Sequence, residues 1–175
     1  KELGIRTLFN VLGPLTNPAG AKAQLLGVAS MNLGAKMARV LALLGSRHAL
    51  VVHGSDGLDE VTLSGDTFVW ELKNGKISSY TLTPEVFGLQ SVLPDQISSD
   101  SAKESSNMLI EVLNGKQGPH REIVLANAAA VFVAADKVTN LRDGVRLAEE
   151  SLDQGRAMEK LEALISFSSR CKGSQ

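Results

Sequence analysis

Apolar residues in the first third of the chain come in short dense runs with a stretch of helical spacing between them. Ala23 to Ser30, "AQLLGVAS", is an apolar run of strand length. Asn32 to Gly45, "NLGAKMARVLALLG", then repeats Leu33, Met37, Val40, Leu41 and Leu44 at helical intervals, with Asn32 placed as an N-cap and Gly45 as the stop. His48 to Gly54, "HALVVHG", is a second compact run ending in glycine. Strand, helix and strand with short joints predict a βαβ unit, and hence a parallel sheet.

The period then changes. "TFVWEL" and "ISSYTL" flank "KNGK", and Asn-Gly between two strand-like runs is the strongest short-range hairpin signal. A loop-rich passage with Pro84 and Pro94 follows, and after Ser101 the pattern is mostly helical. "DSAKESSNMLIEVLNGKQG" offers Asp100 or Ser101 as a cap, Met108, Leu109 and Val112 as an apolar face and Asn114-Gly115 as a stop. "PHREIVLANAAAVFVAAD" opens on Pro119 and is apolar nearly all round, which predicts an interior helix whose alanines let a neighbouring backbone approach closely. "LRDGVRLAEESLDQGRAMEKLEALISFSS" is amphipathic, with Val145, Ala148 and Leu152 on one side and Leu161, Leu164 and Ile165 further on. The expected fold is α/β: a mostly parallel central sheet with an antiparallel hairpin, flanked by helices.

Composition narrows the function classes. With 175 residues, 43% of them hydrophobic, and a net charge of −1, the chain has the size of one ordinary domain with a sizeable core. The longest apolar run, Ile123 to Ala135, falls well short of the roughly 20 residues a bilayer requires. Acids and bases are interspersed around a pI near 6.4, so neither nucleic acid nor anionic lipid has an electrostatic footprint to bind. Cys171 is the single cysteine, which excludes an internal disulfide or a cysteine metal cage and fits a reducing, cytoplasmic setting. The chain opens without Met inside what reads as an element and has no signal peptide at its start, so it is expected to be a fragment.

Two stretches carry the candidate chemistry. Val51 to Leu63, "VVHGSDGLDEVTL", places His53, Asp56, Asp59 and Glu60 directly after an apolar strand, where open α/β sheets bind ligands. Adjacent carboxylates suit Mg²⁺, which keeps most of its waters and takes one or two acidic ligands together with substrate phosphates. Neighbouring side chains of a strand point to opposite faces, so Asp59 and Glu60 share one ion only if they lie in a loop before "VTL" begins. From spacing alone, a surface turn that happens to be acidic is the favoured reading of the pair. His48 and His53 bracket a strand at odd spacing and read as structural, His120 and Arg6 read as surface groups, and no P-loop, dinucleotide fingerprint or local nucleophile signature is present. The other stretch, Phe9 to Gly20, "FNVLGPLTNPAG", is apolar yet broken by Gly13, Pro14, Pro18 and Gly20, and holds no acid or base.

Taken together, "GIRTLFNVLGPLTNPA" and, some forty residues on, "GLDEV" closely resemble the anthranilate phosphoribosyltransferase family, over the whole chain and roughly the C-terminal half of such enzymes. The resemblance implies a glycosyltransferase of tryptophan biosynthesis that joins anthranilate to phosphoribosyl diphosphate with Mg²⁺ and releases diphosphate. It implies that Asp59 and Glu60 hold the Mg²⁺ on the donor's diphosphate, and that Gly13 and Pro14 line the anthranilate channel beside a hinge. Residues 1–22 would end a helical domain, with a short helix around Thr7 to Leu12, and residues 23–175 would form the large α/β domain. The family's glycine-rich phosphate loop, its Lys-His-Gly-Asn stretch, an arginine for the anthranilate carboxylate and most of its dimerisation domain would lie before Lys1. The isolated chain is therefore expected to be inactive, and the full-length protein an active homodimer, plastid-located if it comes from a plant. Two alternatives compete: a related pyrimidine nucleoside phosphorylase, which needs neither "GPLTNP" nor the acidic pair, and a non-catalytic nucleic-acid-binding paralogue, which would carry a basic groove and lose that pair.

Overall fold

The computed structural model describes residues 13–16 and 18–172. Arg6 and the helix expected around Thr7 to Leu12 lie outside them. A short 3₁₀ turn, Gly13–Leu15, leads to β1 (Ala23–Gly27), α1 (Met31–Leu43) and β2 (His48–Gly54). Then come β3 (Thr67–Lys73), β4 (Lys76–Leu82), α2 (Pro84–Phe87), a 3₁₀ turn at Pro94–Gln96, α3 (Ala102–Leu113), α4 (Pro119–Ala134), α5 (Leu141–Asp153) and α6 (Arg156–Lys172).

The four strands form one sheet in the order β1-β2-β3-β4. β1 and β2 pair in parallel, with Ala23 opposite His48 and Gly27 opposite Val52, as the βαβ pattern predicts. β3 is antiparallel to β2 and to β4. The expected hairpin turns at Asn74 and Gly75, both at positive φ, as a two-residue turn matched to strand twist demands. The sheet is mixed, and its parallel part among the described residues is the β1–β2 pair alone. After β2 the chain returns by hairpins rather than by a second helical crossover, and a strand that returns directly must run antiparallel.

Alternation along β2 builds two cores. Leu50 and Val52 face a cluster with Val69, Leu125, Ala126, Ala129, Val145 and Leu152, whereas Ala49 and Val51 face Leu26, Met37, Ala38, Leu41 and Leu72. α1 thus covers one face of the sheet, and α4 with α5 lies over the other. A Cβ on Gly34 would stand 2.1 Å from the Trp70 ring, so this glycine lets α1 settle directly onto β3. The alanines of α4 do admit a backbone: a Cβ on Gly144 of α5 would lie 2.8 Å from Cα of Ala129.

Three local expectations change. α1 begins at Met31 with Ser30 in the cap position and no side-chain cap bond, because the Leu33 amide bonds to the Ser30 carbonyl and starts the first turn before Asn32 is available. α4 is buried on one side only: Leu125, Ala126, Ala129 and Ala130 face the core, while Val124 and Val131 are 42% and 44% exposed. The final amphipathic stretch is two helices, split where Gly155 adopts φ 73°, and Leu164 and Ile165 of α6 are exposed.

Both strand histidines are structural. His53 bonds through Nδ1 to the Val28 carbonyl at 2.8 Å, tying β2 to the end of β1. His48 is fully buried and lies between two carboxylates, Nδ1 at 2.9 Å from Asp136 and Nε2 at 2.9 Å from Glu71. Asp136 also accepts from Arg47. Chiefly that Arg47 hydrogen bond, and then the one from His48, hold the Asp136 carboxyl down at about 2. A carboxyl depressed on folding stabilises above its ordinary value near 4 and loses that contribution as the proton returns. Asp136→Asn keeps a residue that tolerates the φ of 53° found here. It is expected to lower the melting temperature at neutral pH, with the gap to the parent protein closing between about pH 4 and pH 2. Parallel melting curves across that window check this, and a gap independent of pH refutes it.

Candidate metal and substrate site

β1 and β2 run in parallel and therefore end on the same edge of the sheet, at Gly27 and Gly54. The chain leaving β2 makes a loop there. The Gly54 amide donates to the Leu58 carbonyl at 2.8 Å, and Asp56 closes the turn by accepting from the Leu58 amide and the Thr62 hydroxyl. Asp56 is thus a loop fastener with both oxygens engaged. Gly57, at φ 93°, supplies a backbone conformation that other residues resist.

Asp59 and Glu60 follow, in bends outside any strand and with exposed side chains. The condition for one ion to meet both carboxylates is met. Val61 to Leu63, expected to begin a strand, is instead irregular and fully buried. Its polar groups find partners outside a ladder: the Thr62 amide donates to the Thr67 hydroxyl at 3.0 Å, and the Val61 amide donates to Asn127 Oδ1 at 3.0 Å. Asn127 also donates through Nδ2 to the Val61 carbonyl at 2.9 Å and to the Ile123 carbonyl at 3.0 Å.

The loop is also held by Gly27. A Cβ built there would fall 1.5 Å from the Asp59 carbonyl oxygen, so the end of β1 presses directly on the backbone that carries the first acid. Partial desolvation, and then the neighbouring Asp59 charge, push the Glu60 carboxyl above its ordinary value. Two carboxylates that repel one another favour a shared cation. Among the described residues no group of three or more His, Cys, Asp or Glu gathers into a protein cage. Two exposed acids on a fixed loop fit Mg²⁺, whose remaining positions go to water and phosphate oxygens.

Gly13 is exposed, in the 3₁₀ turn that Thr16 caps through its amide and hydroxyl, each 3.3 Å from the Gly13 carbonyl. Leu15 of this turn lines a cavity of about 170 Å³ with Gly20, Lys22, Gln24, Leu41 and Leu44. That cavity sits where β1 begins, at the opposite edge of the sheet from Asp59 and Glu60. The described residues therefore do not bring Gly13 and Pro14 to the acidic pair.

Sequence reasoning missed Gly27 and Asn127. A glycine closing an apolar strand was a weak signal. Asn127, the one amide in the apolar stretch "IVLANAAAVFVAA", was a stronger one, because a polar side chain facing a core has a partner to satisfy.

Residues 1–158 match the family described as "Glycosyl transferase family, a/b domain". Anthranilate phosphoribosyltransferase of Thiobacillus denitrificans is 49% identical over 172 residues, 98% of this chain and 50% of that protein. Anthranilate phosphoribosyltransferase of Saccharomyces cerevisiae in complex with 4-fluoroanthranilate superposes with a TM-score of 0.87 at 35% identity, covering 97% of this chain and 49% of its own. The same yeast enzyme in complex with PRPP and Mg gives a TM-score of 0.86, again at 35% identity and with the same coverage of both chains. The chain spans about half the length of the curated relatives it matches. Sequence and superposition agree, and the chain belongs to the glycosyl transferase family, through its α/β domain.

Proposed function

We propose that the chain is the α/β part of an anthranilate phosphoribosyltransferase, acting in tryptophan biosynthesis. The reaction joins anthranilate to the phosphoribosyl group of phosphoribosyl diphosphate and releases diphosphate. Relatives at about half identity bear that name, and the yeast structures hold PRPP, Mg and an anthranilate analogue. The observation that carries the reading is the acidic pair, Asp59 and Glu60, exposed on a braced loop at the edge where β1 and β2 end.

The chemistry suits such a site. As the bond from ribose C1 to diphosphate breaks, positive charge develops on the sugar and negative charge on the leaving group, while the acceptor amine supplies its own lone pair. No protein nucleophile is needed. Mg²⁺, when bound, offsets the charge of the departing diphosphate. Asp59 and Glu60 would hold that ion, and the fixed backbone beneath them would spare reorganisation of the loop during the step. Gly13 and Pro14 contribute a shaped apolar wall to the anthranilate channel, with residues 1–22 as the end of a helical domain and hinge and residues 23–175 as the α/β domain. The active species is a homodimer of the full-length protein.

The test is loss of anthranilate fluorescence on adding phosphoribosyl diphosphate. Full-length protein is expected to consume anthranilate only when Mg²⁺ is present, and residues 1–175 alone are expected to consume none. Metal-independent consumption, or none by the full-length protein, would sink the reading.

A further inference from the structure

Asn127 stands on α4, 66 residues from Val61, yet its amide engages both backbone groups of that residue. Oδ1 accepts from the Val61 amide at 3.0 Å, and Nδ2 donates to the Val61 carbonyl at 2.9 Å. A third bond, Nδ2 to the Ile123 carbonyl at 3.0 Å, ties the amide to its own helix one turn back and fixes its rotamer. The amide's orientation follows from its partners. Reversed, it would set NH₂ against an amide proton and oxygen against two carbonyls.

The Val61 amide nitrogen belongs to the same peptide plane as the Glu60 carbonyl. Holding that nitrogen fixes the rotation of the plane next to Glu60, and with it the direction in which the Glu60 side chain leaves the backbone. Val61 packs fully buried in the core, which anchors the position of the residue but not the turn of the peptide before it. Gly27, pressed on the Asp59 carbonyl, holds the preceding peptide. The two acids therefore project from a short segment gripped at both ends, by a strand terminus and by a helix side chain.

The geometry points to Asn127 as a positioning residue for the Asp59–Glu60 metal site, one that touches neither ion nor substrate and acts through the Glu60–Val61 peptide. The inference rests on the metal reading above. Groups that orient metal ligands from behind are worth about 10- to 100-fold in affinity.

The experiment compares parent full-length protein with Asn127→Ala and with Asn127→Leu, which keeps the branching at Cγ and removes the hydrogen-bonding groups. Mn²⁺ binding in the presence of inorganic diphosphate is followed by electron paramagnetic resonance, and amide exchange is followed without metal. Both variants are expected to bind Mn²⁺ about 10- to 100-fold more weakly. The Val61 amide should lose protection while Val51 and Val52 of β2 keep theirs. Turnover should recover towards the parent value at saturating Mg²⁺, which splits metal affinity from the chemical step. Parent-like Mn²⁺ affinity in either variant, or loss of protection spread evenly through β2, would overturn the inference. If Asp59→Asn and Glu60→Gln bind Mn²⁺ as the parent does, the metal reading fails instead, and exchange at Val61 still judges the clamp by itself.

Discussion

Turnover of the full-length protein at a fixed, subsaturating Mg²⁺ concentration is expected to fall about 100-fold in Asp59→Asn and in Glu60→Gln, or ~2.7 kcal/mol of transition-state stabilisation. Each substitution keeps shape and removes charge. Asp59 is held by its backbone against Gly27, and Val61 by Asn127, so an amide at either acid leaves the loop where it was. The loss therefore reports on the cation and not on folding. The two variants should differ with pH. Because partial desolvation, and then the Asp59 charge, raise the Glu60 carboxyl, it takes up its proton at a higher pH than an ordinary glutamate. The parent protein then approaches Glu60→Gln as the solution is acidified through that raised value. Kinetics over a Mg²⁺ series at two pH values check both points, and an unchanged metal dependence in both variants would remove the acids from the site.

Gly27→Ala is expected to do more damage than its size suggests. The added carbon would sit 1.5 Å from the Asp59 carbonyl oxygen, whereas real contacts of this kind essentially never come under 3.0 Å. Either β1 or the loop must retreat by well over an ångström. Strand β1 is paired along its whole length with β2, so the loop is the softer side. Overpacking of this kind costs about 1–3 kcal/mol, which in a chain of this size lowers the melting temperature by roughly 3–10 °C. Apparent Mg²⁺ affinity should weaken in the same variant, because the displaced peptide carries Asp59. Parent-like melting together with parent-like Mg²⁺ dependence would show that the close approach does not exist.

Local signals told much of the fold in advance. β1, α1 and β2 followed from apolar runs of strand length around a helical repeat, and Asn74-Gly75 placed the β3–β4 turn to the residue. Ser101 does cap α3, accepting from the Glu104 amide at 3.2 Å. What the pattern could not reveal depended on partners distant in sequence. The mixed sheet arises from β2 finding β3 as its second neighbour, and apolar Val124 and Val131 lie outside because the sheet and α5 cover only one side of α4. The same holds at the site. The two acids were legible from residue type and position after a strand. Gly27 and Asn127 meet that loop across 32 and 66 residues of chain, so their own residue types hinted at a role but could not name the partner.

Strand β2 has seven residues, so its two ends stand about 20 Å apart at ~3.3 Å per residue. Buried His48 with its carboxylate partners Asp136 and Glu71 occupies one end, and the acidic loop leaves the other. Changes that far apart with no common partner combine additively. Acid tolerance and metal affinity are therefore separate dials on one strand. A lineage adapting to a more acidic interior has room to rebuild the first without retuning the second, and an engineer has the same freedom.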